Sequence, residues 1–135
     1  MANEAGKTGR SGWDTAVSRT LPYPGSRVWD FLVGDGLEIW LGPGAALPRE
    51  AGAGYETVHG TSGEVRGFGD ARVSLTWRPK DWDHDSVVRV EVADLGKRST
   101  LKISQEQLAD VAEKAEQRAY WKHVVERVEA ALAER

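Results

Sequence analysis

The chain contains no cysteine. A disulfide framework, a thiol nucleophile and a thiolate metal site are therefore excluded, and nothing calls for an oxidising compartment. Excess positive charge is missing as well. Lys and Arg number 18 against 21 Asp and Glu, a formal charge of -3, so no global positive field exists to hold nucleic acid or an anionic membrane. Long apolar runs are also absent. The opening MANEAGKTGRSG has no h-region of a signal peptide, and no stretch approaches the length that spans a bilayer. The expectation is a soluble cytoplasmic protein.

What is present is enough for one core: 135 residues suit a single domain and are too few for two. Residues 1–11 are polar and Gly-rich without periodicity, and are expected to form a disordered tail ahead of one domain over residues 12–135. Residues 13–21 read as a strand, with Val17 and Leu21 on one parity and Asp14, Ser18 and Thr20 on the other. Pro24 and Ser26 open a helix whose apolar side is Val28, Trp29, Phe31 and Leu32, and Gly34 and Gly36 end it. LEIWL, residues 37–41, makes a second short helix before a Gly/Pro/Ala connection that lies on the surface or at a pocket mouth.

Five strand-like runs follow: YETVHG, GEVRGFG, ARVSLTWRP, SVVRVEVAD and RSTLKIS. Val73, Leu75 and Trp77 alternate with Arg72, Ser74 and Thr76, and the later runs alternate in the same way. Short polar links between such runs require antiparallel neighbours with one buried face.

The C-terminal segment carries two stripes. At about 100° per residue, Trp121, Val125, Val128 and Leu132 share one helix face, while Leu108, Val111, Ala112, Ala115 and Ala119 cluster roughly 150° away. One straight helix cannot bury both on a single sheet. The expectation is a short leading helix or turn followed by the covering helix; the alternative is that the alanines are simply good helix formers on an exposed face. The opposite face, with Lys122, Glu126, Arg127 and Glu129, reads as solvated surface.

Catalytic and metal motifs fail on inspection. The segment from Gly60 to Glu64 lacks the last glycine of a nucleophile elbow and sits in a hairpin. Gly52 and Gly54 start like a dinucleotide fingerprint, but Thr57 takes the third glycine's place. Asp81, Asp83 and Asp85 match the first ligand spacings of a calcium loop, yet Ser86 replaces its turn glycine and Val92 its bidentate Glu. A solvated acidic hairpin is the reading, with no metal and no cofactor expected. His59, His84 and His123 are too scattered in sequence for a metal triad. His59 shares the parity of Tyr55 along its strand, so a pocket-facing imidazole there would be able to polarise a carbonyl.

Six tryptophans are the most suggestive chemical feature, since indoles combine a broad stacking surface with one polar handle. Trp29, Trp77 and Trp121 sit in apolar periodic settings that suit core packing. Trp40, beside Gly42-Pro43, suits core and ligand contact about equally. Trp13 and Trp82 read as strand-end or loop residues at the surface.

The order of elements, with SRVWDFLVGDGLEIWLGPG over residues 26–44, Gly54-Tyr55, Gly63-Glu64-Val65, VSLTW over residues 73–77 and the Trp121 helix, resembles the START-like (SRPBCC) helix-grip superfamily. Within it, the chain is similar to homologues of the heat-shock-protein-90 ATPase activator. Two places depart from the pattern: residues 105–118 are charged and helical-looking, and residues 67–70 are Gly-rich. The resemblance implies an α+β helix-grip fold: a six-stranded antiparallel curved sheet, two short helices after the first strand, and a long C-terminal helix across the sheet. It also implies a cavity between sheet and helix, for which Trp40, Tyr55, His59, Trp77 and Trp121 are the candidate lining. The expected function is non-catalytic binding of a hydrophobic or aromatic, lipid- or polyketide-like molecule. The alternatives are a ligandless module that regulates a chaperone or another protein, and a cyclase-type enzyme with His59 as acid or base.

Overall fold

A computed structural model describes residues 7–8, 12–44 and 46–135. Of the expected tail, only Lys7 and Thr8 fall among these. They form β1 (Lys7–Thr8), a two-residue edge strand on β2 (Gly12–Leu21), and the rest of residues 1–11 lies outside the described residues. The remaining strands are β3 (Gly54–Glu56), β4 (Ser62–Phe68), β5 (Arg72–Trp77), β6 (Ser86–Asp94) and β7 (Ser99–Leu108). The spatial order β1-β2-β7-β6-β5-β4-β3 is antiparallel throughout, so the expected six strands form one curved sheet with β1 added at an edge.

The alternation read from the sequence sets the buried face. Val73, Leu75 and Trp77 of β5, Val88, Val90 and Val92 of β6, and Leu101 and Ile103 of β7 all join the core. Two bulges then change parity. One extra residue between Val65 and Gly67 brings Phe68 to the core side, where its ring lies 5.9 Å from that of Trp29. In β7, Gln107 takes a φ of 67° and the register against β2 shifts between Trp13 and Thr15, so Leu108 is buried although its parity is that of the solvent face.

Between β2 and β3 lie α1 (Gly25–Val33) and α2 (Leu37–Trp40). The start of α1 is not capped by Ser26 as its sequence allows. Asp94, at the end of β6, accepts from the Gly25 N–H at 2.9 Å, and a Cβ on Gly25 would meet the Asp94 Cβ at 2.8 Å. The helix thus docks closely on the strand end. Its C-terminus closes through Gly34 and Gly36, whose N–H groups both reach the Phe31 carbonyl.

The C-terminal segment corrects the expectation of a separate leading helix. One continuous helix, α3 (Val111–Ala133), follows β7 directly. Asp110 caps it by accepting from the Glu113 N–H at 2.8 Å, while the Glu113 carboxylate accepts from the Ala109 N–H, a close variant of the capping box. Leu108 belongs to the bulged strand, and Val111, Ala112, Ala115 and Ala119 are exposed. The second stripe therefore joins one buried strand residue, Leu108, to the exposed helical Val111 and three helix-forming alanines. Trp121, Val124, Val125, Val128 and Leu132 form the buried face, which packs on β2 and β7, and Arg19 of β2 pairs with Glu129 across its edge. Among the described residues no helix is long and apolar enough to cross a membrane.

Candidate functional site

Three of the five candidate lining residues are locked in the core by their own polar handles. Trp40 is fully buried and its indole N–H donates to the Leu32 carbonyl at 2.9 Å. Tyr55 donates its hydroxyl to the Thr76 carbonyl, and burial, helped by the negative charge of Asp85, pushes its pKa far up, so it stays a neutral phenol. Trp121 is fully buried and donates to Gln105 Oε1 at 2.7 Å. The space beneath α3 is filled by this packing.

His59 does not lie on a strand. β3 ends at Glu56, and Thr57 to Gly60 form a turn in which Thr57 N–H donates to the Thr61 carbonyl at 2.9 Å. The parity argument linking His59 to Tyr55 therefore fails, because a turn breaks the two-residue period. His59 is exposed and forms no hydrogen bond or ion pair among the described residues.

His59 and Trp77 nevertheless meet at one place, an open cleft of about 450 Å³ beside α3. Ile39, Leu41 and Pro43 from α2 and its following loop form one side. Gln117, Tyr120 and Arg127 of α3 form the other, and Trp77, Pro79 and the turn at Thr57 to Thr61 close the base. Val58 N–H donates to the Pro43 carbonyl at 3.0 Å, tying the two loops together. Gly42 holds a φ of +130° where the chain leaves α2, and a Cβ there would come within 3.1 Å of Thr57.

The cleft's aromatic wall is a cluster. Trp77 lies 5.1 Å from Trp121 and 6.2 Å from Tyr120, and Tyr120 meets Trp121 edge-on at 4.8 Å. Tyr120 donates to the Trp40 carbonyl at 3.2 Å; burial raises its pKa, with Arg127 pulling weakly the other way. The Trp77 indole N–H is buried and has no partner among the described residues. A buried orphan donor is uncommon in folded proteins.

Behind this wall runs a buried polar chain. Gln105, fully buried at the level of Trp121, accepts from both Trp121 Nε1 and Gln117 Nε2, the latter at 2.9 Å. Its own Nε2 donates to Ser86 Oγ at 2.9 Å, and Ser86 donates on to the Trp77 carbonyl at 2.7 Å. Sequence reasoning missed Gln105, Gln117 and Tyr120. The signals were available: Gln105 continues the buried parity of Leu101 and Ile103, and Gln117 precedes Trp121 by four residues, hence by one helical turn.

The acidic hairpin meets the start of α3. His84 stacks on Trp82 at 4.9 Å and reaches Glu113 of the α3 cap at 2.9 Å, clasping the hairpin to the helix start. Partial burial opposes its protonation. The Glu113 hydrogen bond, the Asp85 carbonyl and the charges of Glu113 and Asp83 outweigh that, and its pKa is raised. Among the described residues no group of three or more His, Asp or Glu side chains is placed to hold a metal ion.

A curved antiparallel sheet gripping a long C-terminal helix defines a helix-grip fold. Solved structures share this architecture across most of the chain. CalU16 from Micromonospora echinospora superposes with a TM-score of 0.76 at 14% identity, over 90% of this chain and 76% of its own. PFC0360w, an HSP90 activator from Plasmodium falciparum, gives 0.73 at 16% identity, over 90% and 97%. The Aha1 dimer from Colwellia psychrerythraea gives 0.71 at 12% identity, over 88% and 95%. At these identities the likeness is one of fold. No protein-family model matches the sequence, and neither does any curated protein.

Proposed function

We propose that this protein binds a planar aromatic small molecule, non-catalytically, in the open cleft beside α3. The observation that carries the reading is the cleft itself: about 450 Å³ walled by Trp77, Tyr120, Ile39, Leu41 and Pro43, with a few polar groups at its base and rim. Pockets for drug-sized ligands run from about 300 to 1,000 Å³ and share this mixture of apolar wall and sparse polar contacts. The ligand sits at the side of the helix, because the space beneath it is filled by Trp121, Val124 and Val125. His59 at the exposed rim has no orienting partner among the described residues, so a cyclase-type acid or base role gains no support from its position.

The test is a titration of tryptophan emission with a panel of polycyclic aromatic, polyketide-like and fatty-acid probes. A binder should quench saturably and raise the melting temperature. At a hundredfold excess over Kd the stabilisation is about 2.7 kcal/mol. With an unfolding entropy of about 2.1 cal/mol/K per residue, that corresponds to roughly 10 °C for this chain. No response across the panel overturns the reading.

A second reading, a protein-interaction module of the chaperone-regulating type, draws support from the filled space beneath α3 and from the likeness in fold to the Plasmodium HSP90 activator. Stimulated ATP turnover on adding this protein to purified HSP90 is its test.

A further inference from the structure

The polar chain behind the cleft fixes which end of Gln117 the ligand meets. An indole nitrogen only donates, so the atom of Gln105 that faces Trp121 Nε1 at 2.7 Å must be its carbonyl oxygen. That same oxygen is the atom Gln117 approaches at 2.9 Å, and Gln117 must therefore present its NH₂. Reversing either amide would set two donors or two acceptors against each other. The far end of Gln105 agrees: its NH₂ donates to Ser86 Oγ, which passes its own proton to the Trp77 carbonyl. Both amide orientations thus follow from the donor-only chemistry of Trp121.

The consequence lies at the cleft. Gln117 lines it, is half-buried, and keeps its carbonyl oxygen without a partner among the described residues. Of the neighbouring polar groups, Tyr120 gives its proton to the Trp40 carbonyl and Thr57 Oγ1 accepts from the Thr61 N–H at 3.2 Å, while His59 stands at the exposed rim. Glu38 and Arg127 contribute one charge of each sign to the lining, so the cleft sets no demand for a charged ligand.

We propose that Gln117 is the specificity-determining residue of this cleft, and that its carbonyl oxygen selects aromatic ligands carrying a hydroxyl or N–H donor over the same ring systems without one. The inference rests on the small-molecule reading of the cleft and sharpens it to neutral hydroxy- or amino-arenes. Gln105 acts through Gln117, as a positioning residue that holds the acceptor outward.

The experiment compares naphthol with methoxynaphthalene, which keeps the ring and the oxygen and loses the donor. Affinities are measured by fluorescence at neutral pH for the native chain and for Gln117→Met. The native protein should prefer naphthol about three- to tenfold, the worth of one hydrogen bond. In Gln117→Met the preference should vanish. Equal affinities for the two probes in the native protein, or an unchanged preference in the variant, overturns the proposal with the cleft reading intact. Absence of binding by either probe to the native chain overturns the cleft reading and this inference with it. Should the variant not fold, the native preference alone decides.

Discussion

Replacing Gln105 by Leu probes the buried chain most sharply. The two side chains are similar in size, so the change removes hydrogen bonds while leaving little cavity. Three contacts are lost, to Trp121, Gln117 and Ser86. They are unequal. Gln117 is half-buried and turns to water, and Ser86 keeps the Trp77 carbonyl as its acceptor. Trp121 has no such escape: it is 0% exposed, and its N–H is left unpaired in the core. Leaving a buried donor unsatisfied costs about 1–3 kcal/mol. A total loss of about 2–3 kcal/mol translates into a melting temperature lower by roughly 7–10 °C, using about 2.1 cal/mol/K per residue. Urea denaturation and calorimetry of the single variants and of Gln105→Leu with Trp121→Phe complete a cycle. Trp121→Phe alone is destabilising through its cavity, but in the double variant no donor remains to be orphaned. The double variant should therefore be more stable than the sum of the singles by about 1–2 kcal/mol. Additive losses, within about 0.5 kcal/mol, would refute the chain as described.

Two further outcomes test other parts of the structure. The His84 clasp has a raised folded pKa, so its stabilisation is fully present below the unfolded value of about 6.5 and is lost as pH rises through the higher folded value; the stability gap between the native chain and His84→Ala should shrink from mildly acidic to mildly alkaline pH, and a gap that widens contradicts the clasp. Gly63 lies so close to β5 that a Cβ would fall 2.1 Å from the Thr76 carbonyl oxygen, a backbone atom unable to yield; Gly63→Ala should cost more than about 3 kcal/mol, and a near-neutral result by urea denaturation would show that the β4–β5 approach is wider than described.

Much of the fold was legible because most strands keep a strict two-residue period. Val73 to Trp77 and Val88 to Val92 announce their buried faces without reference to anything distant. The misreadings fall where one residue shifts the period. The Gln107 bulge put Leu108 out of phase with its strand and in phase with the helical alanines, and so suggested a second helix face. The turn at Thr57 to Gly60 likewise ended β3 before His59 and gave that residue a false partner in Tyr55. The candidate site was less legible. Aromatic character marks Trp40, Tyr55 and Trp121 equally for core and for ligand, and only the acceptors their N–H and O–H groups find, on Leu32, Thr76 and Gln105, assign them to the core. Those acceptors are distant in sequence or carried by the backbone, where composition and spacing leave no trace. Tyr120 and Gln117 enter the cleft because α3 is unbroken through them, which the favoured split helix obscured.

The proposed aromatic ligand occupies the cleft beside α3 against Trp77. A proton–nitrogen correlation spectrum of the tryptophan side chains, recorded while naphthol is added, tests this placement most directly, since the six indoles report separately. The Trp77 signal should move saturably, with Trp29 and Trp13 unmoved. A Trp77 signal that stays in place while naphthol shifts the others, or while it shifts none, contradicts the claim.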